Sequence, residues 1–423
     1  MQRAVRSRPR WSRGRPFDGR GLDRDDPPVR TAASLGVCLL LSLGACKGES
    51  ATTENESQTI EQELAQPTPA GASAEPGAHA SSECREAMTA LAKLEAASEP
   101  AHARAAWTGP LQAWVAAADK ALGRRDAALI EESLARLAEQ TDADARRREL
   151  VLIVTQLRTV ALLDARRLLT AASDADPSKV PQRERAGQWD HAWCLWDAAL
   201  RPLARRADGL PKRGGEDWEP TIADAFAAGR ADLDDPIAPK ANRQIIEKGS
   251  YAVAYRLILA NAEDPQPPAP SEAAALLDML EDRIADRNGP GLKRMRVMLN
   301  GDPAAIDPAV IERELAVAFS KRARKYCDKA VAKAELGTPE AIAETWEGIV
   351  YSKVILPSMR EALSAEGFDT DAYAADWQGY LEAVESGDAD TAATISARLV
   401  EWNCAYQDRL GIAECTSADN EIE

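Results

Sequence analysis

Three tryptophans, Trp189, Trp193 and Trp196, stand at i, i+4 and i+7 and share one face of a predicted helix. Among them lie His191, Cys194 and the carboxylates Asp190 and Asp197. Indole N–H groups need partners when buried, so this face reads either as packed aromatic core or as a ligand-lining wall. A second helix, from Asn242 to Arg256, sets Gln244, Lys248, Tyr251 and Tyr255 in a row at i, i+4, i+7 and i+11. Facing a cleft, that row offers an amide, an ammonium and two phenols to a polar or anionic ligand. Facing outward, it is a solvated edge. The adjoining face, Ile246, Gly249, Val253 and Leu257, is apolar, and Gly249 lets a neighbouring helix come close. Asp190, Asp197 and Glu247 bind a cation near His191 only if the fold gathers them.

Most familiar chemistry lacks its residues. There is no Gly-rich phosphate loop, HExxH, CxxC, CxxCH or GxSxG. Of three histidines, His79 falls in a polar, Pro-rich segment, which leaves His102 and His191. Gly187 and Gln188 precede His191, so the ExxH pairs of di-iron bundles do not occur. The expectation is therefore no catalytic residue, metal site or cofactor, with activity left open. A net charge of −16 over 423 residues also speaks against a nucleic-acid surface, which needs clustered positive charge.

The charge is unevenly placed. Residues 1–46 hold nine Arg against four Asp, leaving −21 for residues 47–423. Thr31 to Ala45 form an apolar run of secretory length, too short to span a bilayer, which takes about 20 residues. The run ends Leu43-Gly44-Ala45-Cys46, which resembles the lipobox of bacterial lipoproteins. That resemblance implies cleavage before Cys46, lipidation of its sulfur and a membrane anchor; Lys47, where Asp would retain the chain in the inner membrane, favours the outer membrane facing the periplasm. About thirty residues precede the apolar run, including Asp18, Asp23, Asp25 and Asp26, so 1–45 reads as a signal region with translation starting near Val29. Residues 46–83 then read as the lipidated Cys and a disordered tether, too poor in large apolar residues to offset ordering. Its reach is roughly 30–37 Å.

From Cys84 the chain is rich in Ala, Leu, Glu and Arg at helical spacing, without strand alternation. The expected fold class is all-α, a multi-helix bundle with negligible sheet and a dozen or so helices. Asp142, Thr338 and Ser271 read as helix caps, and Gly289-Pro290-Gly291 and Gly301-Asp302-Pro303 as breaks. The Pro-rich stretch 263–270 reads as a boundary between modules at 84–262 and 271–415, with a tail at 416–423. Internal similarity points to two related four-helix units. Arg148-Glu149-Leu150 matches Arg313-Glu314-Leu315, Gln188-Trp189-Asp190 matches Thr345-Trp346-Glu347, and Pro202 matches Pro357. A Gly-Asp turn region and a closing Tyr–Arg–Leu complete units at about 142–262 and 307–412. A competing alignment pairs Trp107, Gly109, Leu111 and Ala113 with Trp377, Gly379, Leu381 and Ala383, and both stay open.

Five cysteines follow Cys46, so at least one is free. Cys194, between two tryptophans, is expected to be the buried odd one, and Cys404–Cys415 is favoured as a pair because Gly411 can turn the tail back. The resulting expectation is a lipid-anchored envelope protein whose helical body binds an envelope protein or a small ligand. The general layout is also similar to that of imelysin-like envelope proteins, which implies a metal- or haem-binding or hydrolase-type alternative. That group's GxHxxE motif is absent, so no functional residue is carried over. A purely structural role is the third reading.

Overall fold

A computed structural model describes Gly77, residues 80–210 and residues 216–415. The signal region, Cys46, nearly all of the tether and the tail lie outside the described residues. Among the described residues there is no β-strand. Local signals explain most helix boundaries. After α1 (Ser82–Glu95), α2 (Pro100–Trp107), α3 (Pro110–Leu122) and α4 (Asp126–Glu139), Asp142 accepts from the Ala145 N–H at 2.7 Å and starts the long α5 (Ala143–Ser173). Helix α6 (Gln182–Leu195) continues into α7 (Arg201–Asp208) through a π-helical turn at Trp196–Leu200. Pro202 has no N–H to offer the Ala198 carbonyl, which is the local reason for the irregular turn.

Next come α8 (Trp218–Ala231), α9 (Ala238–Glu263), α10 (Ala269–Met279) and α11 (Glu281–Leu299). One sequence expectation is corrected here: helix α10 begins at Ala269, so Ser271 lies inside its first turn rather than capping it. The expected break at Gly289-Pro290-Gly291 is a kink that joins two helical stretches of α11. Asn288 leaves helical backbone (φ −150°, ψ 56°), and its side chain takes over the lost backbone pairing. Its Oδ1 accepts from the Gly291 N–H at 3.1 Å, and its Nδ2 donates to the Glu314 carbonyl at 2.9 Å. The chain ends with α12 (Pro308–Cys327), the short α13 (Lys329–Lys333), α14 (Pro339–Ala362, capped by Thr338), α15 (Thr370–Ser386) and α16 (Ala389–Arg409).

The packing follows one scheme twice. Helix α5 packs on α6 and α9, and α8 packs on α9; likewise α12 packs on α14 and α16, and α15 on α16. This matches the first internal alignment, with a Pro-interrupted second helix in each unit. The competing alignment fails on local structure. Gly109 sits in a turn at φ +102°, whereas its partner Gly379 is in mid-helix. Helices α1–α4 cover α5 and α6, and α10–α11 join the two units, with α10 on α5 and α9 and α11 on α12. Helix α9 also packs directly on α14 and α12, across the Pro-rich stretch in sequence.

Small residues allow the closest approaches. Gly229 of α8 lies under the Trp189 ring. Gly249 of α9 faces Ile222 and Trp218, whose atoms a Cβ would meet at 2.9–3.0 Å. Gly348 of α14 faces Trp377 and Tyr326 in the same way.

Candidate functional site

The tryptophan face of α6 is core. Trp189 and Trp196 are fully buried, Trp193 half-buried, and all three rings surround Phe226 of α8 at 5.2–6.2 Å between centroids. The Trp189 indole N–H is satisfied by the Phe226 carbonyl at 2.9 Å. Arg201 lies over Trp193 and Trp196 at 5.8 Å. The void beside Trp196, about 10 Å³, is too small for more than a water. Asp190 is spent on the Gly77 N–H and on Arg230, each at 3.1 Å, and Asp197 on Arg201 at 2.7 Å. His191 stays half-buried on the same helix, and burial pushes its basicity down, opposed by Asp164. Cys194 is not the odd cysteine: it is bonded to Cys84 of α1, Cα atoms 6.5 Å apart. Cys404 is bonded to Cys415, and among the described residues the free thiol is the buried Cys327. Position between two tryptophans misled the reading, because α1 covers that side of α6.

The α9 row is buried too, which corrects the expectation of a solvated edge. Gln244, Lys248, Tyr251 and Tyr255 are 7%, 3%, 2% and 4% exposed. Helices α5, α12 and α14 pack around α9, so its polar groups must be answered from within. Glu247 answers most of them. Its Oε1 takes the Tyr251 hydroxyl at 2.6 Å and Arg166 at 2.7 Å, and its Oε2 takes Lys248 at 3.0 Å. Lys248 reaches on to Glu347 of α14 at 3.4 Å. Burial works against both charges, but Lys248 and Arg166 outweigh it and hold the Glu247 carboxyl at about 2. Glu247 and Glu347 likewise outweigh burial and raise Lys248. Burial and the Glu247 charge push the Tyr251 phenol far up, with Arg283 over its ring at 5.5 Å. Gln244 Oε1 is buried without a hydrogen-bond partner.

This centre fixes how α9, α12 and α14 run. Lys240 pairs with Glu340 and Lys248 with Glu347, a nearly constant offset that sets α9 and α14 parallel. Rings step from Tyr326 and Tyr351 (6.2 Å) through Phe319 (5.8 Å) to Tyr255 (5.1 Å), so α12 runs the opposite way. The C-terminal ends of α9 and α14 therefore meet the start of α12.

At that meeting point the bundle opens into a cavity of about 570 Å³. Tyr255, Leu259, Val354 and Pro357 give it an apolar floor, while Arg256, Glu263, Glu312, Ser358, Arg360 and Glu361 supply polar groups. Tyr255 is thus the one member of the α9 row that reaches a ligand-sized space. Pro357 helps to open it, since it cannot bond the Lys353 carbonyl one turn back. The Ser358 hydroxyl pairs with the buried Tyr406 hydroxyl at 2.7 Å; burial raises that phenol, and Glu312 and Glu361 raise it further. Arg256 is held by Asp208 at 3.4 Å over the Trp218 ring. Burial lowers its basicity, with Asp208 opposing. A groove of about 430 Å³ between α1 and the α2–α3 region is shallower, lined mostly by exposed residues such as Arg85, Glu86 and Lys93.

Sequence reasoning singled out Lys248, Tyr251 and Tyr255 but missed Glu347, Arg166 and every acidic wall residue of the cavity. The usable signal was the acidic ends of α9 and α14, Glu263 and Glu361. Among the described residues no three His, Cys, Asp or Glu side chains gather as metal ligands, and Asp190, Asp197 and Glu247 lie in separate pairings. Comparison of the chain with known protein families, curated proteins and solved structures finds no match.

Proposed function

We propose that this chain is a lipid-anchored protein of a bacterial cell envelope, held at Cys46, whose helical body binds a small ligand.

 The observation that carries the binding reading is the cavity of about 570 Å³ at the ends of α9 and α14, a size typical of small-molecule sites. It combines an apolar floor with charged groups and hydroxyls, in a bundle whose other charged candidates, Asp190, Asp197, Glu247 and Lys248, are consumed by internal pairing. Support for the address comes from the lipobox-like Leu43-Gly44-Ala45-Cys46 and from the cysteines, four of which pair off as Cys84–Cys194 and Cys404–Cys415. Such pairing suits an oxidising compartment outside the cytoplasm.

Native mass spectrometry of the full chain purified from membranes tests both parts. The expected result is a mature mass beginning at a lipidated Cys46, with a small-molecule adduct that Val354→Trp removes by filling the cavity floor. A mature chain that keeps residues 1–28, or an adduct that Val354→Trp leaves unchanged, contradicts the corresponding half.

A further inference from the structure

The two disulfides differ in where their sulfurs lie. Cys84 and Cys194 are 1% and 9% exposed, closed between α1 and α6, whereas Cys404 is half-buried near the end of α16 and Cys415 is exposed beyond it. We propose that Cys404–Cys415 is a thiol-exchange site, a redox latch on the cavity wall that a partner dithiol opens while Cys84–Cys194 stays closed. What the latch controls rests on the binding reading; the exchange itself does not.

Access is the first reason. Exchange needs a thiolate to reach a disulfide sulfur, and of the four bonded cysteines Cys415 is the exposed one. Attack there forms a mixed disulfide on Cys415 and breaks the bond to Cys404, which leaves as a thiolate and takes up a proton. The second thiol of the attacking dithiol then loses its proton and closes a disulfide within the partner, releasing Cys415 as a thiolate that is protonated in turn. Two electrons pass from the dithiol to the pair, and no other reactant is needed. Cys327 stays out of the exchange. Its thiol is fully buried and accepts from the Asn403 amide at 3.3 Å, and burial pushes its pKa up.

The second reason is what the end of α16 holds. The Tyr406 hydroxyl, two residues after Cys404, pairs with the Ser358 hydroxyl of the cavity wall at 2.7 Å. Arg313, next to the wall residue Glu312, donates to the Leu410 carbonyl at 2.9 Å. Between the two cysteines the chain turns at Gly411 (φ +76°), and the Ile412 N–H returns to the Gln407 carbonyl at 3.0 Å. The Cys404–Cys415 bond closes this turn covalently. With the bond open, the last turn of α16 is free to fray, and the loosening passes through Tyr406 to α14 and through Arg313 to α12.

The test is maleimide labelling of the full native chain during a dithiothreitol titration, read peptide by peptide beside hydrogen exchange of residues 354–361. Cys404 and Cys415 should label together at about tenfold lower dithiothreitol than Cys84 and Cys194, with Cys327 unlabelled as the check that the core stays closed. Exchange across 354–361 should then run about tenfold faster, and Cys404→Ser/Cys415→Ser should show the same gain without reductant. Labelling of Cys84 and Cys194 first or together with the other pair overturns the latch. So does labelling of Cys327 in step with Cys404, or exchange at 354–361 unchanged in both the reduced chain and the double variant. The two levels separate cleanly: an adduct that Val354→Trp leaves in place refutes the ligand and not the latch, since neither labelling nor exchange requires one.

Discussion

The α6 and α9 rows look alike in sequence, four-spaced side chains with polar tips on one helical face, yet the bundle uses them differently. On α6 Trp189 and Asp190 find nearby partners, and Phe226 fills the space between the tryptophans. On α9 the charges are answered from two other helices, α5 and α14, and the row runs out at Tyr255 into an open cavity. The difference teaches that burial alone does not separate core from site. What separates them is whether the side chains close on one another or leave a lined space.

The largest effects should fall in the cores of the two rows and differ in kind. Lys248→Met strands the buried Glu247 and Glu347 and should cost about 3–5 kcal/mol in denaturant unfolding. Adding Glu247→Gln should recover part of that loss, because the carboxylate made unpaired is then neutral. Trp189→Ala should cost a similar 3–5 kcal/mol through the cavity it leaves, but with no charge partner whose removal restores it. Equal recovery in both rows, or none on α9, would erase the distinction between them.

Next come the disulfides. Cys84–Cys194 closes 110 residues and ties α1 to α6, whereas Cys404–Cys415 closes 11. In the chain-entropy account the upper limits are about 5 and about 3 kcal/mol, so Cys84→Ser/Cys194→Ser should lower the thermal midpoint more than Cys404→Ser/Cys415→Ser. A larger effect from the short loop would place the weight of covalent closure in the second unit.

Acid should separate the rows as well. Glu247 is held at about 2 in the fold, below an ordinary glutamate near 4.5. Its stabilisation is complete above that ordinary value and is lost as pH falls from about 4.5 through about 2. Unfolding free energy measured across that window should therefore lose part of its slope in Glu247→Gln and keep it in Trp189→Phe.

The all-α class, the caps at Asp142 and Thr338 and the repeated order of helices were legible because each rests on local spacing. The interruption at Gly289-Pro290-Gly291 was legible for the same reason, but the hydrogen bonds that Asn288 donates to Glu314, distant in sequence, were not. Nor was the fate of Lys248, whose second carboxylate stands on α14, or of Cys194, whose partner is on α1. Tyr255 was singled out for its place in the row. That its neighbours at the cavity would be Glu312 and Glu361 depends on the parallel pairing of α9 with α14, which no local pattern encodes.

The central claim, that the α9 side holds the ligand and the α6 side holds the fold, is tested most directly by native mass measurement on two variants side by side. Val354→Trp should lose the adduct while keeping a cooperative melt, and Trp193→Phe should keep the adduct while melting earlier. An adduct lost in Trp193→Phe and retained in Val354→Trp would contradict the account.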